Sequence, residues 1–249
     1  MAKKVVFVAD DFGMGAEVNR AVVHAHTAGA LDAACLMMGQ PGTGEAVTLA
    51  RAHPSLAIGW HLHLNDSWPT TMNRWPWDGP SSAMQAGWRI GFSRRAREAV
   101  RREIVRQWEL FRQTGLECRF VNCHHHLHAH PFVWRTLMEG LGPDFKGWIR
   151  LGDLRAFSPR RSPAFALGAA AANFFQHRRR KVSRLRSPDT LWGVDRTFRM
   201  QADEVRAAVA GLGEGFHEFL FHPRSLLCQD TLCLLELRSD FVPFSLVAA

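Results

Sequence analysis

Five imidazoles fall within seven residues, at His124, His125, His126, His128 and His130, in a chain that has 13 histidines in all. On an extended segment His124, His126 and His128 would face one side together and could ligate a metal. Two adjacent carboxylates, Asp10 and Asp11, precede Phe12-Gly13, where a glycine permits the sharp turn that would aim both acids at one site. One of the pair could bind metal and the other accept a proton. His61 and His63 alternate with Leu62 and Leu64, a pattern that places both imidazoles on one face of a strand. One carboxylate with two imidazoles makes an open N/O site that leaves coordination positions for water and substrate. That is hydrolytic chemistry: the metal acidifies its water, a carboxylate takes the proton, and a histidine, for which His222 is the candidate, protonates the departing amine.

These groups need elements to position them. Lys4–Ala9, Ala33–Met38, Ala57–Trp60, Phe120–Asn122, Trp148–Leu151 and Phe219–Phe221 are short apolar runs that predict buried strands. Helical spacing joins Val18, Ala21, Val22 and Ala25, runs through Gly44–Arg51, Arg94–Gln113 and Asp203–Ala210, and stops at Gly29 and Gly115 in the first and third of these. Strands alternating with helices predict an α/β fold, a parallel sheet or (β/α) barrel variant with the active site at the C-terminal ends of the strands. Asp10-Asp11, His61, His124 and His222 all fall at such ends. One domain, 1–249, is expected, with insertions near 66–93 and 155–190.

The composition agrees. With 249 residues, 47% hydrophobic and 22% charged, the chain can bury a full core, and disordered, collagen-like and coiled-coil classes are excluded. The five cysteines are scattered with no Cys-x-x-Cys pair, which suits a reducing cytoplasm rather than a disulfide framework. Neither a secretory signal nor a membrane span is expected. A net charge of +8 implies attraction to something anionic. Trp60, Trp68, Trp75, Trp77 and Trp88 crowd a Pro- and Gly-containing stretch that reads as a lid or insertion. Ala164–Arg186 joins apolar Phe165, Leu167, Phe174 and Phe175 to Arg178-Arg179-Arg180-Lys181, Arg184 and Arg186, a pattern that can lie on an anionic bilayer.

Four motifs in order, Ala9-Asp-Asp-Phe-Gly13, Gly59-Trp-His-Leu-His-Leu64, Val121-Asn-Cys-His-His-His-Leu-His-Ala-His-Pro131 and Phe221-His-Pro223, resemble the YdjC-type carbohydrate deacetylases. Ala16–Ala46, Arg94–Gly115 with Val121-Asn122, and the basic segment near residue 180 resemble the hopanoid-biosynthesis-associated subfamily. The resemblance implies a (β/α) barrel variant and a metal-dependent hydrolase that removes the N-acetyl group from an amino sugar, in this subfamily an N-acetylglucosaminyl hopanoid. It implies Asp11, His61 and His124 as metal ligands and Asp10 as general base; His63, His126 and His128 stand beside them as additional site candidates from their spacing alone. The metal would be Zn, Mg, Ni, Co or Fe. The protein would be cytoplasmic, peripheral at the inner membrane, with a lipid-linked substrate and no nucleic-acid partner. Asn122 stands where chito-oligosaccharide-type members carry Asp, and a reduced last helix is expected after about residue 226. The alternatives are a deacetylase of soluble chito-oligosaccharides, or a basic lipid- or nucleic-acid-binding protein with a structural metal.

Overall fold

A computed structural model of the chain describes residues 2–77, 83–157, 163–183 and 185–240. Its eight strands are β1 (Lys3–Phe12), β2 (Ala33–Leu36), β3 (Ala57–Leu62), β4 (Phe120–Cys123), β5 (Trp148–Ile149), β6 (Asp153–Leu154), β7 (Thr190–Trp192) and β8 (Gly215–Phe221). All pair in parallel, in the order β5-β4-β3-β2-β1-β8-β7-β6. The sheet curls into a half-barrel whose edges are β5 and β6, neighbours in sequence that do not pair. The helices are α1 (Ala16–Thr27), α2 (Thr43–Ala52), α3 (Ala83–Phe92), α4 (Arg94–Gln113), α5 (Pro131–Leu141), α6 (Pro163–Ser183), α7 (Ala202–Ala210) and α8 (Gln229–Leu237). The expected barrel variant is therefore what forms. Strands β6 and β7, of two and three residues, are too short to show a period, and sequence reading passes over them.

Side-chain alternation sorts the strands into two faces. Phe7, Ala9, Ile58, Trp60, Phe219 and Phe221 pack outward against the helices. Val6, Val8, Ala33, Cys35, Ala57, Phe120 and Trp148 form a separate cluster on the concave face. At the level of β3 this inner layer is so tight that only glycine fits: a Cβ on Gly59 would lie 2.6 Å from the Phe120 ring, which stacks on Trp148 at 4.5 Å between centroids. Above this apolar floor, toward the C-terminal ends of the strands, the next inward positions are Asp10, His61, Asn122 and Arg150, level with Cys35 at the upper edge of the floor. The alternation that fills the core thus also raises the polar groups to one level.

The stretch read as a tryptophan-rich lid is mostly anchored. Trp60, Trp75 and Trp77 are buried, Trp75 stacked on Trp77, whereas Trp68 and Trp88 are exposed. Buried Glu103 of α4 holds the loop by accepting bonds from the backbone N–H and hydroxyl of both Thr70 and Thr71. The basic run of α6 does not form one free face. Arg179 is buried, donates to the carbonyls of His128 and Ala129 and lies over Trp134, and Arg180 pairs with Asp153 at 2.6 Å, so Arg178 and Lys181 alone of the four stay outside. Arg184 and the side chain of Phe165 lie outside the described residues. The final helix α8 has nine residues.

Gly59→Ala is expected to destabilise the protein by about 1–3 kcal/mol in urea unfolding, because the rigid Phe120–Trp148 stack must move. Phe120→Leu in the Gly59→Ala background should recover part of that loss.

Candidate functional site

A register shift in β1 between Ala9 and Phe12, opposite β2, lets consecutive residues turn their carboxylates to the same end of the barrel. Asp11 takes φ 65°, a left-handed conformation that costs a non-glycine residue about 1 kcal/mol or more. His61 ends β3, directly across from Asn122 of β4. His124 opens a short 3₁₀ segment, His124–Ala129, in which His125 and His126 also have positive φ, 52° and 55°. This segment turns instead of extending, so His124, His126 and His128 do not share a face.

Three groups converge. Asp11 Oδ1 lies 3.2 Å from His61 Nε2 and 3.0 Å from His124 Nδ1, and the two nitrogens are 3.4 Å apart. These separations match the edges of a coordination polyhedron with bonds of about 2.1 Å. Asp11 Oδ1 is buried and has no hydrogen-bond donor. His61 Nδ1–H donates to Asn122 Oδ1 at 2.5 Å, which turns the Nε2 lone pair toward Asp11 and His124. The donor set fits a divalent cation, and with three protein ligands it leaves positions open.

Asp10 stands beside this group in a different state. Its Oδ1 accepts from Arg150 Nη2 (2.8 Å), Asn122 Nδ2 (3.2 Å) and the Cys35 thiol (2.9 Å), and its Oδ2 accepts from Arg150 Nη1 (2.6 Å). Burial would raise its pKa, but the charges of Arg150 and then His61, with the Arg150 hydrogen bonds, hold it far below the usual carboxylate range. Burial likewise opposes ionisation of Asp11, but the two imidazoles set against its carboxylate, His124 and then His61, prevail and hold it well below its ordinary value. Arg150 is wholly buried; its Nε donates to Glu218 Oε1 at 2.6 Å. Glu218 is shifted upward by burial despite that partner. Burial, with Asp10 adding its charge, pushes the Cys35 thiol well up, so it stays protonated as a donor.

His222, after β8, contributes its ring. Its backbone N–H donates to Asp230 Oδ2 at 2.8 Å, Phe198 packs against the imidazole at 5.2 Å, and Nδ1 is buried without a partner. Burial lowers its pKa against the opposing pull of Asp10 and Asp11, so the free ring is neutral. His126 faces the same interior, with burial and then His128 and Arg150 holding it neutral. Two candidates point elsewhere. His63 lies beyond the end of β3, where alternation no longer applies, and its nitrogens bond the Met38 carbonyl (2.8 Å) and Ser67 Oγ (2.9 Å). His128 Nε2 donates to the Arg150 carbonyl at 3.0 Å. Sequence reading missed Arg150 and Glu218. Their signal is a charge at an inward position of an apolar strand, in Trp148-Ile-Arg-Leu151 and Phe216-His-Glu-Phe-Leu-Phe221.

Removing the Asn122 amide frees the His61 ring and takes a donor from Asp10. Asn122→Ala is expected to weaken binding of a divalent cation about 10–100-fold in calorimetric titration. His128 gives a pH test. Burial, and then Arg179, lower it to about 3, so as pH falls from about 6.5 toward 3 the unfolded chain takes up a proton that the folded one refuses. Stability should fall by about 1.4 kcal/mol per pH unit from this residue. His128→Gln should show a correspondingly shallower loss of urea midpoint between neutral and acid pH.

Comparison with known proteins accords with this geometry. Over 138 residues the chain is 39% identical to a Vibrio cholerae protein named "Carbohydrate deacetylase", an alignment covering 55% of this chain and 54% of that one. A Brevibacillus brevis protein of the same name is 36% identical over 140 residues, with 55% and 54% covered. The chain thus spans about half the length of these relatives. A crystal structure from Enterococcus faecalis V583, named for cellobiose-phosphate cleavage, shares the fold, with a TM-score of 0.66 at 19% identity over 96% of this chain and 91% of that one. Residues 4–226, which carry every strand but the first residue of β1 and every group of the site, match the YdjC-like protein family, and the chain belongs to it.

Proposed function

We propose that the protein is a metal-dependent N-deacetylase of an acetylated amino sugar, with Asp11, His61 and His124 as the metal ligands, Asp10 as general base and His222 as general acid. The observation that carries this reading is the convergence of three donor atoms on one point, with an ionised carboxylate clamped beside them and the buried Nδ1 of His222 left without a hydrogen-bond partner. The family and the names of the relatives support the same chemistry. A divalent cation bound there would acidify a water and polarise the acetyl carbonyl.

The chain's own groups account for the proton traffic. Asp10 Oδ1 is saturated by three donors, whereas Oδ2 takes only one and keeps a lone pair, so a water proton goes to Oδ2. The water oxygen adds to the acetyl carbon and the C–N bond breaks. The proton that Asp10 took passes by way of the neutral His222 ring to the amine nitrogen, so Asp10 ends ionised and His222 neutral as they began, and the products are acetate and the free amino sugar. Arg150 keeps Asp10 ionised and fixes its plane; it is a positioning residue. We further place the substrate among lipid-linked sugars, an N-acetylglucosaminyl hopanoid, on the strength of the subfamily resemblance, with the enzyme cytoplasmic and peripheral at the inner membrane. Among the described residues no helix is long and apolar enough to cross a membrane.

Acetate release from the N-acetylglucosaminyl hopanoid and from N,N′-diacetylchitobiose, each with and without chelator, separates the readings. The expected result is release from the hopanoid, abolished by chelator and lowered about 10²–10⁴-fold by Asp10→Asn or His222→Gln. Release from chitobiose alone would assign the enzyme to soluble sugars, and no release from either by metal-loaded protein would overturn the deacetylase reading.

A further inference from the structure

Helix α3 is apolar on both sides. Ala86 and Ile90 face the core, while Met84, Trp88 and Phe92, spaced four apart, form an outward stripe exposed by 72, 67 and 79%, with the Trp88 and Phe92 rings 4.9 Å apart. A surface helix of a globular protein normally turns charge outward. Charge sits next to the stripe instead: residues 83–102 contain Arg89, Arg94, Arg95, Arg97, Arg101 and Arg102 against the single acid Glu98.

The placement of those arginines opposes local stability. Helix α4 begins at Arg94, with Arg95 and Arg97 close behind and no acid in its first turn. Cations there meet the positive end of the helix dipole. Further along, Arg97 and Arg101 of α4 and Arg135 of α5 all lie 5.7–5.8 Å from the centre of the Phe132 ring. Arg97 donates to the Ile90 and Gly91 carbonyls at the end of α3 and Arg135 lies 3.7 Å from Glu139, so of the three Arg101 stands exposed over the ring as the cation free to meet an anion. A face that combines an aromatic stripe with such crowding of positive charge is complementary to phosphate headgroups over acyl chains.

We infer that α3 and the N-terminal half of α4 dock the protein on an anionic phospholipid surface, with Met84, Trp88 and Phe92 entering the headgroup boundary and Arg94, Arg95 and Arg101 meeting lipid phosphates. Helix α3 also packs on the 3₁₀ segment that carries His124, and Gly91 lies beside His130. Docking therefore brings the mouth of the site to the bilayer. That consequence rests on the lipid-linked substrate proposed above; the surface itself does not. It also relocates membrane contact from the basic run of α6, where Arg179 and Arg180 are committed to internal bonds, to α3 and α4.

Sedimentation of the full chain with phosphatidylcholine vesicles, with and without phosphatidylglycerol, tests this. The protein should bind only the anionic vesicles, and salt should release it. Trp88→Ser/Phe92→Ser should abolish binding while leaving the melting temperature unchanged. Arg94→Glu/Arg95→Glu should weaken it by about fivefold or more per arginine and hold or raise the melting temperature, since acids suit a helix N-terminus. Acetate release from a water-soluble acetylated sugar, where the wild type shows it, should be the same in both variants. Wild type that ignores anionic vesicles, or variants that bind as wild type does, would overturn the inference. So would a wild-type dimer that Trp88→Ser/Phe92→Ser dissociates without any effect on vesicles, which would assign the stripe to a second copy of the chain. None of these readouts depends on the protein being a deacetylase.

Discussion

Arg150 is a cation with no access to water, held between two carboxylates, and the upper half of the barrel is organised around it. Its guanidinium fork grips both oxygens of Asp10 while Nε bonds Glu218, so each partner fixes the plane in which the other must lie. Taking away one member of such a buried set leaves an uncompensated charge, at a cost of about 3–5 kcal/mol. The same residue works through its backbone. Its N–H donates to Val121 of β4, and its carbonyl accepts from His128, whose own carbonyl accepts from Arg179 of α6. The histidine-rich segment is therefore fastened at its far end by the residue that also holds the proposed base at its near end.

That fastening explains how the site sustains unfavourable backbone. Asp11, His125 and His126 occupy left-handed conformations, each costing about 1–3 kcal/mol, and persist only where surrounding contacts over-determine them. Beneath Asp11 lies the packed floor of Val8, Ala33, Gly59 and Phe120, which cannot yield without opening the core. Around His125 and His126 the segment is pinned by His124 at one end and His128 at the other. The stability of the apolar barrel is in this way transferred to the geometry of the donor atoms.

Much of this was legible in sequence because period-two alternation governs both the core and the site. Short apolar runs located six of the eight strands, and reactive residues at their C-terminal ends located Asp10, Asp11, His61 and His124. What alternation could not convey is where a strand stops. Spacing alone pairs His63 with His61, yet β3 ends at Leu62 and the ring turns to Met38. Alternation extends His126 and His128 along one face with His124, but the left-handed His125 and His126 wind the segment into a turn. Arg150 and Glu218 went unread because a lone charge in an apolar strand has no meaning until its partner across the barrel is known, and those partners lie 140 and 68 residues from Arg150.

Asn122 shows the electrostatic limit on this arrangement. Asp10, Asp11 and Glu218 already place three carboxyl groups in the upper interior against one arginine, an excess of negative charge that a divalent cation at Asp11, His61 and His124 would offset. A further acid between His61 and Asp10 would accept from His61 as well as an amide does, but it would face Asp10 with a like charge and no proton to donate. The amide resolves both demands, since its oxygen takes the His61 proton and its nitrogen donates to Asp10 and to Cys35. The position therefore tunes two proposed roles at once. It holds the ligand nitrogen of His61 toward the metal site, and it withdraws electron density from Oδ1 of Asp10, leaving Oδ2 as the oxygen with capacity for a proton.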